Sequence, residues 1–194
     1  MHEQSKDVAQ RILQAAIRVF DKYGLRKTTM RDIAESAGMS KSSLYYYFSN
    51  KRKILSSVVR QEAETLIEKL RTSVRQAVSP QEKLQAYVVT RMHLLFELSI
   101  YYASLTEAYL EQYAFIERER EVFTNFENST IQDILSEGID TGVFRISDVL
   151  TTAKMIIIIM KGMELRLIIG KSMNDLDDTV SAMLDILLQG LETH

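Results

Sequence analysis

The chain of 194 residues contains no cysteine, one proline and three histidines. Without cysteine it can form neither disulfides nor thiolate metal sites, which suits a reducing compartment. His2, His93 and His194 are scattered and form no HxxxH or HxxE spacing, so a zinc or di-iron site has no ligand set. A Gly-rich phosphate loop and a nucleophile elbow are also missing. We therefore predict a protein with no metal, no cofactor and no catalytic site.

Long apolar runs are missing as well. The most apolar stretch, residues 155–170, is interrupted by Lys161, Glu164 and Arg166, so it is too short and too charged to span a bilayer. The opening residues MHEQSKD are polar, and we expect no signal peptide. Hydrophobic residues make up 46% of the chain, which argues against long disordered tracts. We predict a cytoplasmic protein with no membrane partner.

The charge is unevenly distributed along the chain. Residues 1–60 carry 12 Lys/Arg against 5 Asp/Glu, whereas residues 61–194 carry 12 against 21. A basic head on an acidic body is typical of a DNA-binding module attached to a partner or ligand domain. Chance drift of surface charge is the plain alternative.

Apolar residues recur at spacings of three and four almost throughout, which predicts helices. The pattern predicts a helix from Asp7 to about Tyr23, ended by Gly24, and a long helix from Lys51 to about Val78. Four more are predicted near residues 81–100, 117–140, 148–170 and 174–191. We predict an all-α fold with two domains, over residues 1–50 and 51–194.

The stretch from Thr28 to Lys51 predicts two short helices joined by a tight turn. Thr29 can cap the first helix, with Asp32 three residues on reaching back to the cap. Gly38 stands where a left-handed residue is needed to end that helix. Ser40 can then cap a second helix that runs to about Phe48.

The second short helix has an apolar face and a polar face. At about 100° per residue, Leu44 and Phe48 share the inner face, while hydroxyl and phenol groups point outward or lie on the flanks. The outer residues are Ser42, Ser43 and Tyr46, the flanking ones Tyr45 and Tyr47, and Lys41 and Lys51 stand near the two ends. Such a helix suits a DNA groove.

A possible ligand site lies in the body. Arg91 falls within the apolar stripe of its helix, where an arginine without an anionic partner costs several kcal/mol. One interpretation is an ion pair with Glu97, Glu107 or Glu111; the other is contact with the carboxylate or phosphate of a bound small molecule. The next segment, residues 101–115, is dense in tyrosine, which predicts that it either fills a core or lines a cavity. The ligand candidates are Arg91, Tyr101, Tyr102 and Tyr109.

The two C-terminal helices predict a homodimer interface. Helix 148–170 is apolar over most of its circumference and must be buried on more than one side. Helix 174–191 is amphipathic, and two such helices in succession exceed what one small body can cover. The predicted interface residues are Ile159, Gly162, Arg166, Leu176, Val180, Met183 and Leu187.

The pattern TTMRDIAESAGMSKSSLYYYFSNK, followed by Ile54 and Leu55, resembles the N-terminal helix-turn-helix of the TetR family of bacterial regulators. The resemblance covers roughly residues 7–58, and the turn EGIDTGVFR before the penultimate helix fits it. It implies an all-α homodimer built on the last two helices. Residues 1–50 would form a three-helix, helix-turn-helix DNA-binding domain, and residues 51–194 a larger helical ligand-binding and dimerisation domain with a small-molecule pocket. It also implies repression at a palindromic operator in double-stranded DNA, relieved by an unidentified small-molecule effector.

The resemblance also implies roles by position. Thr29 and Arg31 would meet backbone phosphates, and Tyr46, Tyr47 and Lys51 would grip phosphates as well. The residues expected in the major groove are Lys41, Ser42, Ser43 and Tyr45. The position of Tyr47 is often histidine in the family, and a phenol can still donate to phosphate.

Three alternatives stay open from the sequence. The first is a DNA-binding activator or architectural protein that responds to no small molecule. The second is a helical ligand-binding or interaction module whose helix-turn-helix is only structural, and the third is an enzyme. Salt-sensitive, sequence-selective binding to duplex DNA separates the predicted regulator from the last two.

Overall fold

The computed structural model describes residues 2–101, 114–170 and 173–192, and it describes side chains over 6–97, 114–164 and 176–192. Within these ranges the chain forms helices and no β-strand, which confirms the predicted all-α class. The helices are α1 (His2–Lys27), α2 (Met30–Ser36), α3 (Lys41–Tyr47), α4 (Lys51–Gln76), α5 (Pro80–Tyr101), α6 (Glu121–Asp140), α7 (Val149–Gly170) and α8 (Met173–Leu191). Residues 114–119 are also helical.

The helix boundaries follow local sequence signals closely. Gly24 adopts φ 76° and ψ 157°, so it interrupts α1 at the residue where the helix was predicted to end. The chain resumes helical geometry for one more turn, to Lys27. Before α5, Ser79 and Glu82 form reciprocal bonds: Ser79 Oγ accepts from Glu82 N at 3.2 Å and Glu82 Oε2 accepts from Ser79 N at 3.1 Å.

The first compact unit comprises Met1–Ala63 and Tyr101–Glu121. Its core joins α1, α2, α3 and the start of α4, and Phe115 from the later part of the chain packs into the same cluster. The largest fully buried side chains of this unit are Phe20, Ile12, Ile33, Leu44 and Ile54. We refer to residues 114–121, the part of this second stretch whose side chains are described, as the return segment.

The second unit comprises Glu64–Ile100 and Val122–His194. Its buried side chains come from α4 to α8 and include Leu70, Leu84, Met92, Phe123 and Ile131. The boundary between the compact units falls inside α4 rather than at residue 50, and the assignment of functional domains to 1–50 and 51–194 stays a prediction. No helix in the described part of the chain has the length and apolarity needed to cross a membrane.

The corner between α6 and α7 depends on glycine. Gly142 has φ 73°, and the N–H groups of Val143 and Phe144 both donate to the Gly138 carbonyl at 2.9 Å. A Cβ at Gly138 would overlap the ring of Phe144, so the close approach requires the missing side chain. Phe144 also forms an isolated bridge with Glu192, which links this corner to the end of α8.

Candidate nucleic-acid interface

The first helix of the helix-turn-helix begins with the predicted capping box. Thr29 Oγ1 accepts from Asp32 N at 3.3 Å, and Asp32 Oδ2 accepts from Thr29 N at 2.8 Å and from Thr29 Oγ1 at 2.7 Å. These side-chain and backbone bonds from Thr29 lower the pKa of Asp32 below its usual range. Thr29 and Arg31 are exposed at this helix start, where main-chain N–H groups and the helix dipole favour an anion.

The turn follows the sequence prediction. Gly38 has φ 65°, and nothing lies within 4 Å of the Cβ that another residue would place there. Its backbone conformation, rather than lack of space, therefore favours glycine. Ser40 Oγ then accepts from Ser43 N at 3.1 Å and caps α3.

Helix α3 presents its polar face to solvent. Leu44 is fully buried against the core of the first unit, which fixes the rotation of the helix. Tyr46 on the opposite face is 83% exposed, and its ring meets Tyr47 edge-on with centroids 5.2 Å apart. Ser42 and Ser43 are exposed, and their hydroxyls lie 2.9 and 2.8 Å from Ser40 Oγ.

Two cations near this face already have partners. Arg31 Nε donates to Glu35 Oε1 at 2.8 Å, an exposed pair one turn apart on α2. Lys41 Nζ lies 5.8 Å from the centroid of the exposed Tyr45 ring. Both interactions are on the surface, where ion pairs and cation–π contacts are weak, so a phosphate can replace them.

Lys51 is placed differently from the phosphate contact expected for it. Its Nζ donates to the main-chain carbonyls of Leu25 at 2.5 Å and Thr28 at 2.7 Å, and lies 3.4 Å from that of Arg26. The side chain points into the link between α1 and α2. Sequence spacing alone could not show this, because the carbonyls come from a segment more than 20 residues earlier.

In the second unit Arg91 forms an ion pair, as one of its two interpretations predicted, but with different partners. Arg91 Nε bonds to Glu127 Oε1 and its Nη2 lies 3.3 Å from Glu164 Oε2. Glu97 is exposed, and Glu107 and Glu111 lie outside the described residues. Burial works to lower the pKa of Arg91, but the charges of Glu127 and Glu164 raise it above its usual value, so the guanidinium stays charged.

The same cluster includes Tyr87 and an unsatisfied carboxylate oxygen. Tyr87 OH lies 3.3 Å from Glu127 Oε1, and burial together with the charge of Glu127 raises the pKa of this phenol well above its usual value. Among the described residues, Glu127 Oε2 receives no hydrogen bond although it is fully buried. The predicted ligand residues Tyr102 and Tyr109, and the side chain of Tyr101, lie outside the described residues.

Four of the predicted interface residues keep exposed surface in the single chain. Ile159 and Gly162 are exposed on α7, and Met183 and Leu187 are half-buried on α8. The side chain of Arg166 lies outside the described residues.

Leu176 and Val180, by contrast, are only 2% and 3% exposed within the single chain, and their place in the interface stays a prediction. Their face of α8 lies against α5, where His93 Nε2 meets Asp177 Oδ1 at 2.7 Å beside a groove of about 150 Å³.

Exposed apolar side chains mark another face of the same two helices. Ile158 on α7 is 60% exposed and Ile186 on α8 is 73% exposed, with Met155 next to the former on the α7 surface. Neither isoleucine is among the interface residues predicted from the sequence. A helical wheel could not distinguish Ile158 from its neighbours, because α7 is apolar on nearly every side.

The return segment is a second feature that the sequence did not reveal. Phe115 is buried in the core of the first unit, and Arg52 lies over its ring at 4.7 Å from the centroid. Glu119 Oε2 accepts from Ser56 Oγ at 2.5 Å and from Arg60 Nε at 2.9 Å. These bonds, first from Ser56 and then from Arg60, lower the pKa of Glu119 below its usual range despite partial desolvation. The charged run ERERE at 117–121 by itself predicts only a solvated helix face.

Comparison with known proteins identifies the family. A family model for bacterial regulatory proteins of the tetR family matches residues 12–58. The HTH-type transcriptional repressor KstR2 of Mycolicibacterium smegmatis is 33% identical over 140 residues, which make up 69% of this chain and 66% of that protein. The chain belongs to the TetR family. A fatty acid metabolism regulator protein of Bacillus subtilis is 28% identical over 142 residues, 72% of each chain.

Solved structures share the fold of this TetR-family chain over nearly its whole length. FadR of Bacillus subtilis, in complex with stearoyl-CoA, superposes with a TM-score of 0.75 at 24% identity and covers 95% of this chain and 99% of that one. FadR of Bacillus halodurans gives a TM-score of 0.74 at 22% identity, with 93% and 94% covered. The TetR-family protein is a sequence-specific DNA-binding transcriptional regulator of the ligand-responsive repressor type. The family match covers α2, α3 and their flanking helices, the elements that present the polar face described above.

Proposed function

We propose that α3 is the recognition helix of a homodimeric repressor. The observation that carries the proposal is the outward polar face of α3, held in register by buried Leu44 and by the serine cap. In such a dimer, two copies of α3 enter successive major grooves of a palindromic operator, about 34–36 Å apart. Ser42, Ser43 and Tyr45 would meet base edges, while Tyr46 and Tyr47 would meet phosphates.

The homodimer itself is part of the proposal. Met155, Ile158 and Ile159 form an exposed apolar patch on α7, and Ile186 is exposed on α8. Apolar patches of this kind on a soluble chain mark interaction sites. A second copy of the same two helices presents the same patch, so a two-fold axis matches like with like.

Effector binding is coupled to DNA release through the return segment. Residues 114–121 belong to the first unit, where Glu119 is held by Ser56 and Arg60, and the chain continues directly into α6. Six residues after the return segment, α6 carries the buried Glu127. In this proposal, two arrangements of the second unit are in equilibrium. An effector that binds one arrangement more tightly shifts that equilibrium by the difference between its affinities for the two.

The effector in this proposal is a long acyl chain carried as a coenzyme A thioester. Support comes from the relative named as a fatty acid metabolism regulator and from the stearoyl-CoA complex of a protein with the same fold. Arg91 is already occupied by two carboxylates, and Glu127 Oε2 accepts no hydrogen bond from the described residues. A free fatty-acid carboxylate would be repelled there, whereas amide N–H groups of an acyl-CoA could donate to it.

A single titration series tests both the recognition role of α3 and the class of the effector. An operator is first recovered from random duplexes by selection on the purified protein, and its binding is measured by fluorescence anisotropy. Stearoyl-CoA, stearate, free coenzyme A and a ketosteroid are then added separately. We expect only stearoyl-CoA to release the operator. Release by stearate or by the ketosteroid overturns the effector class, and failure to recover any operator overturns the recognition role of α3.

A further inference from the structure

The ammonium group of Lys51 is enclosed by main-chain carbonyls. Its hydrogen-bond acceptors are the carbonyls of Leu25 and Thr28, with that of Arg26 within 3.4 Å. A lysine ammonium has three donors and no acceptor, so these three oxygens use its hydrogen-bonding capacity. No donor is left over for a DNA phosphate.

The acceptors belong to the last turn of α1 and to the link into α2. Carbonyls at a helix C-terminus have no intrahelical partner and carry the negative end of the helix dipole, so a cation there is favourable. Lys51 itself stands at the first residue of α4, where a positive charge is disfavoured by that helix's own dipole. The contact with α1 offsets this cost.

The link held by Lys51 leads directly into the cap of α2. Thr28 is 2% exposed and its Oγ1 donates to the Gly24 carbonyl at 2.8 Å, while its own carbonyl accepts from Lys51. The next residue, Thr29, caps α2 through its bonds with Asp32. One ammonium group therefore connects the end of α1, the cap of α2 and the start of α4.

We infer that Lys51 is a positioning residue that holds the α1–α2 link in the geometry required for specific DNA binding, and that it does not contact phosphate. The inference deepens the proposed recognition role of α3 and rests on it for its DNA readouts. Lys53, two residues further along α4, is exposed and provides a matched control. Its charge lies at the same helix start, and its side chain is free to approach phosphate.

The first experiment compares Lys51→Met with Lys53→Met. Affinities for the selected operator and for a scrambled duplex are measured over a range of salt concentrations at a temperature where circular dichroism shows both variants folded. For Lys51→Met we expect operator affinity to fall about tenfold, with little change for the scrambled duplex and an unchanged salt slope. Lys53→Met should weaken both duplexes equally and reduce the slope by about 0.9. A slope reduced by about 0.9 in Lys51→Met, with equal losses on both duplexes, overturns the inference.

A second experiment needs no variant and directly detects the contacts between Lys51 Nζ and the three carbonyls. In the wild-type protein without DNA, ¹⁵Nζ-detected spectra should show the Lys51 ammonium protons in slow exchange with water, because three carbonyls enclose them. Adding operator should leave that signal in place, without coupling between Nζ and a phosphate ³¹P nucleus. Fast exchange in the free protein, or such a coupling in the complex, contradicts the inference. Because the free protein is measured first, this result stands even if no operator is found.

Discussion

Arg91 and Glu127 form an ion pair in the interior of the second unit, with 1% and 0% of their side-chain surfaces exposed. The pair joins α5 to α6, and Glu164 on α7 adds a second carboxylate to the same guanidinium. Such a pair contributes little net stability relative to an apolar replacement, but it makes the loss of one partner costly.

Replacing Arg91 with methionine should lower the free energy of unfolding by about 3–5 kcal/mol, because Glu127 is left buried without its cation. Urea unfolding of the protein at a fixed concentration measures the change. The double variant Arg91→Met/Glu127→Leu should recover part of the loss. A single variant as stable as the wild type would show that water or another cation reaches Glu127.

Tyr46→Ala should reduce operator affinity by about 1–3 kcal/mol while leaving the melting temperature unchanged, because the ring is exposed in the free protein and meets DNA in the proposed complex. Tyr23→Ala is the control, since Tyr23 is also an exposed tyrosine, 47% accessible, but lies on α1. Anisotropy titrations measure both. Equal affinity for Tyr46→Ala and wild type would remove α3 from the interface.

The carboxylate of Glu82 makes stability depend on pH in the acid range. Bonds from the backbone N–H groups of Val78 and Ser79 hold the pKa of Glu82 below its ordinary value of 4.5. The folded-state pKa is depressed, so the stabilisation is fully present above the unfolded pKa and is lost as pH falls through the folded pKa.

Melting temperatures measured between pH 6 and pH 3 should therefore fall less steeply in Glu82→Gln than in the wild type, since glutamine cannot titrate. The exposed Glu64 on α4, changed to glutamine, serves as the matched control and should keep the wild-type slope. Identical slopes in all three proteins would show that the bonds from Val78 and Ser79 to Glu82 do not contribute to acid unfolding.

Charge placed on the exposed apolar patch should separate the subunits. Ile158→Asp and Ile186→Asp are each expected to shift the protein to monomer in sedimentation velocity, because an unpaired carboxylate is costly in an apolar interface. Val122→Asp, at an apolar residue 63% exposed on α6, should leave the dimer intact. Dimerisation by both isoleucine variants would place the interface on another surface.

Glu119→Gln should weaken coupling between effector and DNA. The substitution removes the charge that Arg60 meets, while Ser56 can still donate to the amide oxygen. We expect operator affinity to be nearly unchanged and the effector-induced loss of affinity to shrink by about 1 kcal/mol, within the usual range of allosteric coupling energies. Glu121→Gln, an exposed neighbour, is the control. If the effector released the operator from Glu119→Gln as fully as from the wild type, coupling through Glu119 would be excluded.

The helix-turn-helix could be predicted from sequence because its determinants are local. Thr29 and Asp32 are three residues apart, Gly38 needs only its own backbone conformation, and Ser40 caps the helix that begins at the next residue. Interactions of this range depend on spacing along the chain, which is readable without a fold.

The partners of charged side chains could not be predicted in the same way. Arg91 required a carboxylate, and this requirement followed from its place in an apolar stripe. Which carboxylate met it depended on packing α5 against α6 and α7, with Glu127 36 residues away and Glu164 73 residues away.

The sequence by itself determined the helical class, the capped turn and the outward polar face of α3, because each depends on periodicity or on contacts within a few residues. Only the tertiary structure decided that Lys51 holds the end of α1, that Phe115 belongs to the first unit, and that Leu176 and Val180 are buried. Each of these depends on which helix surfaces meet, and a helix that is apolar on several sides does not specify its neighbours.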